Sequence, residues 1–319
     1  MKIAQLLEKP HVFSARHLAP HNCNICSAPL KTRHRQVRDT ITNEFFSILA
    51  CPKCGLGHTI PHPSDLRKYY GNNYYGNRHG VTSRICTRRS IRVLESLRRK
   101  STGKRLLDVG CGDGSFLLNA RDNGWKVTGT EVNFHPAQAF GLDIRPSIHH
   151  IDHNEKFDCI TFWHSLEHMK DIKATLFSIA GMLDTEGHLV IAVPNSDSLQ
   201  AKIFGPNWLH LDVPRHLYHF NRFSLNFSLE KAGFHIHNTI GNELEYNLIG
   251  WSQSAMNCFN LKPNLFFHFL TGKVKDYSAW NKASNLILGS TLTLLFSSAL
   301  FVETLAERNG TIVITARKN

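Results

Sequence analysis

From residue 104 onward the chain alternates short apolar runs with amphipathic ones. KRLLDVGC (104–111) is a nearly continuous apolar run closed by a glycine, the pattern of a strand buried on both faces. SFLLNARDNG (115–124) spaces its apolar positions as a helix does and stops at Gly124. KVTGTEV (126–132) and FDCITFWH (157–164) predict two further strands. A helix (IKATLFSIAGML, 172–183), a strand (HLVIAVP, 188–194), a helix (FSLNFSLEKAG, 223–233) and a strand (FHIHNTIG, 234–241) follow. Such alternation predicts a parallel sheet with helices on both faces and ligands at the carboxyl ends of its strands.

Upstream the pattern changes. Cys23 and Cys26 form one C-x-x-C pair and Cys51 and Cys54 another, with 24 residues between them. Each pair places two thiolates on one side of a tight turn, and two such turns complete the tetrahedral sulfur shell that zinc prefers. Gly55 suits that turn, and TITNEFFSIL inside the gap reads as strand. Four sulfurs leave no open coordination position, so the metal is expected to hold structure. A redox C-x-x-C does not explain two copies. The other four cysteines (Cys86, Cys111, Cys159 and Cys258) are scattered, which excludes a disulfide framework.

Residues 61–103 connect the two regions through a Tyr-, Asn- and Gly-rich stretch and a basic run, SRICTRRSIRVLESLRRKSTGK, that predicts a helix. The run is either a phosphate-binding surface or the solvated face of that helix. The formal charge of +12, with pI near 9.4, points to an anionic partner or to a plain basic surface. Apolar residues make up 42% and charged residues 19%, which excludes a disordered chain. The start of the chain lacks the apolar core of a secretory signal, so the expected location is the cytoplasm, or the inner face of its membrane.

The chemistry is concentrated in LLDVGCGDGSF, where Asp108, Gly110, Cys111, Gly112 and Gly114 end the first strand of the core. Glycines there let the backbone approach a ligand and turn sharply into the helix. A dinucleotide fingerprint wants G-x-G-x-x-G, but the position that spacing requires is Ser115. An acid, Glu131, closes the second strand, where a carboxylate can accept both hydroxyls of a ribose.

A G-x-G-x-G loop preceded by an acid resembles motif I of the class I S-adenosylmethionine-dependent methyltransferases. KFDCITFWHSLEHMKD (156–171) resembles the fourth-strand motif of that superfamily. MLDTEGHLVIAVPN (182–195) resembles its L-x-x-G-G-x-L-x-I-x-x-P-N element. HLYHFNRFSLNFSLEKAGF (216–234) is similar to the H-x-x-H-F-[ST]-x-x-S-L element of the ubiquinone-methyltransferase-like subgroup. The resemblance covers 104–240 and 310–318. It implies an α/β fold: a Rossmann-like seven-stranded sheet whose last strand, GTIVITARKN, is antiparallel. Two departures stand out: a short crossover, NFHPAQAFG, and no clear adenine-contacting acid, for which Asp152 is the candidate.

The resemblance further implies that Gly110 to Gly114 pack under the methionine part of the cofactor. Asp108 orients that loop, Glu131 holds the ribose, and Trp163 and His164 line the wall at the end of the fourth strand. Alternatively, Trp163 packs in the core and His164 is a satisfied surface histidine. For Glu167 and His168 a structural role, bracing a helix start, is expected. The stretch after the fifth strand crosses the mouth of such sites, which makes His210, His216 and His219 candidates for a base, with Arg215 available to an acidic substrate group. His216 is the preferred base or substrate contact.

The expected units are a zinc ribbon (1–60), a basic helical connector (61–103), the S-adenosylmethionine-binding core (104–240), an apolar helical insertion (241–309) and the last strand (310–319). Within the insertion, 283–302 is a run of 20 uncharged residues diluted by seven Ser, Thr and Asn. By length it could span a bilayer, but the strand after it must return to the same sheet. It is expected to form a lid over the site, with peripheral membrane contact as the alternative. The leading function is methyl transfer to O or C of a small-molecule, sugar or lipid/glycan-linked acceptor. An RNA methyltransferase using the ribbon and basic run, and a non-catalytic zinc-ribbon binding module on a degenerate scaffold, are the competing readings.

Overall fold

The computed structural model describes residues 22–70, 83–98, 104–132, 135–138, 140–240, 243–259, 264–271 and 278–319. The Tyr-, Asn- and Gly-rich part of the connector (71–82), the end of the basic run (99–103) and part of the short crossover lie outside them. Three strands open the structure: β1 (Lys31–Arg38), β2 (Phe45–Ala50) and β3 (Gly57–Ile60). After helix α1 (Ser83–Arg98) come β4 (Arg105–Val109), α2 (Ser115–Asp122), β5 (Lys126–Thr130), α3 (His135–Gln138), β6 (Asp143–Arg145) and β7 (Phe157–Trp163). Then follow α4 (Ile172–Met182), β8 (Leu183–Pro194), α5 (Leu199–Phe204), β9 (Tyr218–His219), α6 (Arg222–Lys231) and β10 (Phe234–Ile240). Helices α7 (Leu244–Asn257), α8 (Leu265–Leu270), α9 (Ala279–Leu295) and α10 (Ser297–Leu305) precede β11 (Thr311–Lys318).

Seven strands form the main sheet in the order β10-β11-β8-β7-β4-β5-β6. Strands β4 to β8 pair in parallel, whereas β11 runs antiparallel to both β8 and β10. The apolar runs end up where continuous hydrophobicity places them, in the middle. Leu106, Leu107, Ile160, Phe162, Leu189 and Ile191 have no measurable exposure. Caps set the helix starts: Asp171 accepts from the Ala174 N–H, and Asn221 and Ser224 form a reciprocal capping box.

The ribbon is not a free-standing module. Its sheet takes a fourth strand from the core, because β9 pairs with β3 through Gly57 with His219 and His58 with Tyr218. Cys23, Cys51, Cys54 and Leu56 share one apolar cluster with Leu217, Tyr218, Phe220 and Leu225. The described part of the basic run is an amphipathic helix: Val93, Leu94 and Leu97 are buried against α2 and β4.

The insertion packs on the flank of the core. Gly289 lies so close to the Phe266 ring that any Cβ would overlap it, and Glu303 is buried, accepting from Gln200 Nε2 at 3.2 Å. Burial pushes the Glu303 carboxyl up from its ordinary value. Among the described residues, none of α9 or α10 lines the principal cavity. The lid expectation for 283–302 therefore fails: the inner side of the helix pair is committed to α7 and α8.

Candidate active site

A cavity of about 600 Å³ opens at the carboxyl ends of β4, β5, β6 and β7. That is ample for a nucleoside-sized cofactor with space for an acceptor. Gly110 and Gly112 line it with Glu131. The loop is tied down by the Thr130 carbonyl, which accepts from the N–H groups of Gly110 (2.8 Å) and Cys111 (3.0 Å). All three loop glycines have left-handed backbones, which favours glycine over any residue with a Cβ. Their surroundings differ. A Cβ on Gly110 would stand 2.6 Å from Ser165 Cβ, and one on Gly114 would meet Leu142 and Ala137. At Gly112 nothing lies within 4 Å, so this glycine faces open cavity. Gly114, expected at the cofactor, instead lets α2 pack against β6 and α3. Cys111 turns its thiol into the core, where burial raises its pKa.

Glu131 accepts from the Gly112 N–H through Oε2 (3.0 Å) and from the Val132 N–H through Oε1 (2.8 Å). Its carboxylate therefore stands at the loop, on the side from which ribose hydroxyls would donate. Asp108 is buried one step behind, accepting from Thr161 Oγ1 at 2.6 Å. These residues fit the nucleoside and methionine parts of S-adenosylmethionine. Asp152 does not: it is exposed and accepts from the Asn154 N–H, closing a surface turn. The wall it was expected to supply is made by Pro146, Ser147, Ile148 and His149.

At the end of β7, His164 adopts a left-handed backbone (φ 51°), rare and strained for a residue with a side chain. The bend aims its ring at Glu243, with Nε2 to Oε2 at 2.5 Å, and stacks it on Tyr246 at 4.4 Å. Glu243 also binds Arg89 of α1, and Arg89 in turn binds Glu245. Helices α1 and α7 are thus clamped over the loop by charge-assisted bonds. That clamp was not legible in the sequence, because its members lie about 150 residues apart. Trp163 faces a narrow cleft with Cys86, Arg89, Asp108 and Tyr246 that shares Gly110, Gly112 and His164 with the main cavity, and its ring packs edge-on against Phe116.

The histidines separate. His168, expected to be structural, lines the cavity, and its Nδ1 lies 2.9 Å from the Arg215 carbonyl. His216 stands one layer behind, its ring edge-on to His168 at 4.7 Å. Its Nδ1 donates to the His210 carbonyl (2.9 Å), and its Nε2 lies 3.9 Å from Glu167 Oε1. Glu167 is 1% exposed, and neither carboxylate oxygen has a hydrogen-bond partner among the described residues. Glu167, His168 and His216 place one ligand atom each within 4.8 Å of the others, a donor set able to hold a cation.

His219 belongs elsewhere. It is buried in the ribbon sheet with Nε2 2.9 Å from Thr59 Oγ1, and burial holds its pKa well below the ordinary histidine value. His210 is held down to about 3 by burial and by His164 and His216, and it lies off the cavity wall. Arg215 is unavailable to a substrate: its guanidinium is buried, bonded to Asp39, Asp212 and the Tyr69 carbonyl. In the ribbon, Cys23–Cys54 and Cys26–Cys51 sulfurs stand 3.5 and 3.4 Å apart, and all four lie within 4.8 Å of one another. A tetrahedral zinc–thiolate centre sets sulfurs about 3.8 Å apart, so the set fits that metal. The Cys54 N–H points at Cys51 Sγ (3.4 Å), completing the knuckle.

The sequence of this site has relatives. A family described as a methyltransferase domain matches residues 78–239, just over half of the chain. The ubiquinone biosynthesis O-methyltransferase of Salmonella paratyphi A is 27% identical over 119 residues, 34% of this chain and 46% of its own length. The chain thus spans about half the length of the curated relatives it matches. Among solved structures, a [4+2]-cyclase is similar at TM-score 0.46 and 20% identity, covering 71% of this chain and 80% of its own. A putative sarcosine dimethylglycine methyltransferase from Galdieria sulphuraria is similar at TM-score 0.49 and 13% identity, covering 74% and 86%. With the glycine loop, the acid after β5 and the antiparallel last strand in place, the chain belongs to the methyltransferase-domain family.

Proposed function

We propose that the chain methylates O or C of a small-molecule acceptor, of the sugar or lipid/glycan-linked class, and that His168 is the base. One observation carries this reading: a single cavity wall runs from Gly112 and Glu131 to His164 and His168, with the Glu167 carboxylate buried behind it between His164 and His216. Bound S-adenosylmethionine supplies an electrophilic methyl group on a sulfonium, so the protein need only align the acceptor, exclude water and take a proton.

With Nδ1–H donated to the Arg215 carbonyl, a neutral His168 keeps its lone pair on Nε2, the acceptor an O–H or acidic C–H requires. Glu167 and His216 then stabilise and orient the charged ring that forms. Arg67 and Lys170 line the cavity with them and suit an acceptor carrying an anionic group. The four-cysteine centre takes a structural zinc, whose thiolates require a reducing compartment such as the cytoplasm.

The test is methyl transfer from labelled S-adenosylmethionine to separated lipid-extractable, soluble-glycan and RNA fractions. Label is expected in one of the first two. His168→Asn should retain calorimetric cofactor affinity and lose about 100-fold or more in turnover, whereas His216→Asn should lose less and shift the pH profile. Full turnover in His168→Asn removes it as the base, and label confined to RNA overturns the acceptor class.

A further inference from the structure

Helices α9 and α10 show solvent a face that belongs in a core. Trp280 is 80% exposed, Ile287 68%, Leu294 76% and Phe301 67%, at intervals of seven residues that set them along one side of the helix pair. Leu295 and Leu305 widen the stripe. Soluble monomers rarely expose so continuous an apolar surface. The opposite side is already committed to the protein, through Asn285, Gly289 and the buried Glu303.

We infer that this face rests on the surface of an anionic lipid bilayer, with the helix pair lying in the membrane plane. Three observations favour lipid over a second copy of the chain. First, no charged residue occurs between Lys282 and Glu303, while 262–282 carries Lys262, Lys273, Lys275 and Lys282 against only Asp276, on a chain of net charge +12. A basic sequence leading into an uncharged apolar stretch is the composition that complements anionic headgroups.

Second, several exposed hydroxyls of the pair return their protons to the helix itself. Thr291 Oγ1 donates to the Ile287 carbonyl (2.9 Å), Ser297 Oγ to that of Leu294 (2.7 Å) and Thr304 Oγ1 to that of Leu300 (2.8 Å). A side chain so satisfied needs no water, the condition an acyl-chain boundary imposes. Third, the heptad positions that would complete a seam between two copies are Ser284, Thr291 and Ser298, and the two helices bend by 42° where they join. A coiled seam wants apolar residues there and a continuous helix.

Spanning is excluded by geometry. Among the described residues no single helix is long and apolar enough to cross a membrane, and β11 re-enters the main sheet a few residues after α10. The pair packs on α7, whose Tyr246 stacks on His164, so the same helix joins the lipid face to the cavity. The benefit to a lipid-linked acceptor rests on the function proposed above, but the contact itself does not.

The experiment is flotation of the full chain with vesicles of phosphatidylcholine containing about a third phosphatidylglycerol, against phosphatidylcholine alone. The comparison variant carries Trp280→Ser, Ile287→Ser, Leu294→Ser and Phe301→Ser. Calorimetric affinity for S-adenosylmethionine is measured on both proteins and reports folding separately. Expected are flotation of the native chain with anionic vesicles, its weakening at high salt, and a loss of about tenfold or more in the variant at unchanged cofactor affinity. Three results overturn the inference: no flotation of the native chain, equal flotation of the variant, or a dimer by sedimentation that the variant dissolves without any vesicle binding.

Discussion

Gly112 and Gly141 provide a matched pair for testing where the cofactor lies. Both have left-handed backbones (φ 59° and 67°), and neither would bring a Cβ within 4 Å of another atom. Alanine at either position therefore incurs the same conformational penalty, about 1 kcal/mol net once the stiffer unfolded chain is counted. In a chain of this size that lowers Tm by about 2 °C. The difference is that Gly112 lines the 600 Å³ cavity and Gly141 does not. If S-adenosylmethionine packs on the loop, Gly112→Ala inserts a methyl group into its contact surface. Overpacking of that kind costs about 1–3 kcal/mol, or about 5- to 150-fold in Kd. Isothermal calorimetry on both variants, with thermal unfolding as the control, reads the two effects apart. Equal Kd values for native protein and Gly112→Ala would refute the placement, as would equal weakening in both variants. Gly110→Ala is no substitute, because its Cβ would collide with Ser165 whether or not a cofactor binds.

Glu131→Ala removes the acceptor for two ribose hydroxyls, so cofactor affinity should fall about 100-fold by calorimetry while Tm changes little, the carboxylate lying at the cavity edge. Cys54→Ser should abolish a one-to-one zinc content in metal analysis and lower Tm sharply, since that sulfur is buried within the shared apolar cluster. The depressed pKa of His219 means that below pH 6.5 the unfolded chain binds a proton the folded one refuses. The native protein should lose about 1.4 kcal/mol of stability per pH unit from this site as pH falls, and His219→Gln should show a correspondingly shallower decline in denaturant melts.

The central strands were legible because a parallel sheet buries both faces, so its strands appear as unbroken apolar runs. The sulfur centre was legible because spacing alone fixes four thiolates. The histidines were not. His216 and His219 are three residues apart, which on a helix would join them on one face, but the chain there enters strand β9. One ring consequently turns to Glu167 and the other into the ribbon. Asp152 failed for a related reason. A loop acid can close its own turn as readily as reach a ligand, and here the Asn154 N–H is the nearer donor. The fourth strand of the ribbon pairs residues about 160 positions apart, a contact that no local pattern encodes.

That long-range pairing gives the ribbon a part in the site. The segment that leaves β3, Ser64 to Arg67 with Tyr70, forms one side of the cavity. Arg215 fixes the segment by donating to the Tyr69 carbonyl (2.8 Å), and it binds Asp39 in the turn between β1 and β2 (2.9 Å). The Arg215 carbonyl meanwhile orients His168. One buried guanidinium therefore couples the position of the ribbon hairpin, the outer cavity wall and the ring proposed as base. A buried cation with two carboxylate partners and a carbonyl is satisfied only while all of them stay in place, because leaving any one unpaired is costly. The four-cysteine centre thus bears on the site from a distance: it holds the hairpin whose aspartate holds the arginine. This accounts for four sulfurs sharing an apolar cluster with the residues that follow the histidine loop, instead of sitting on a tether of their own.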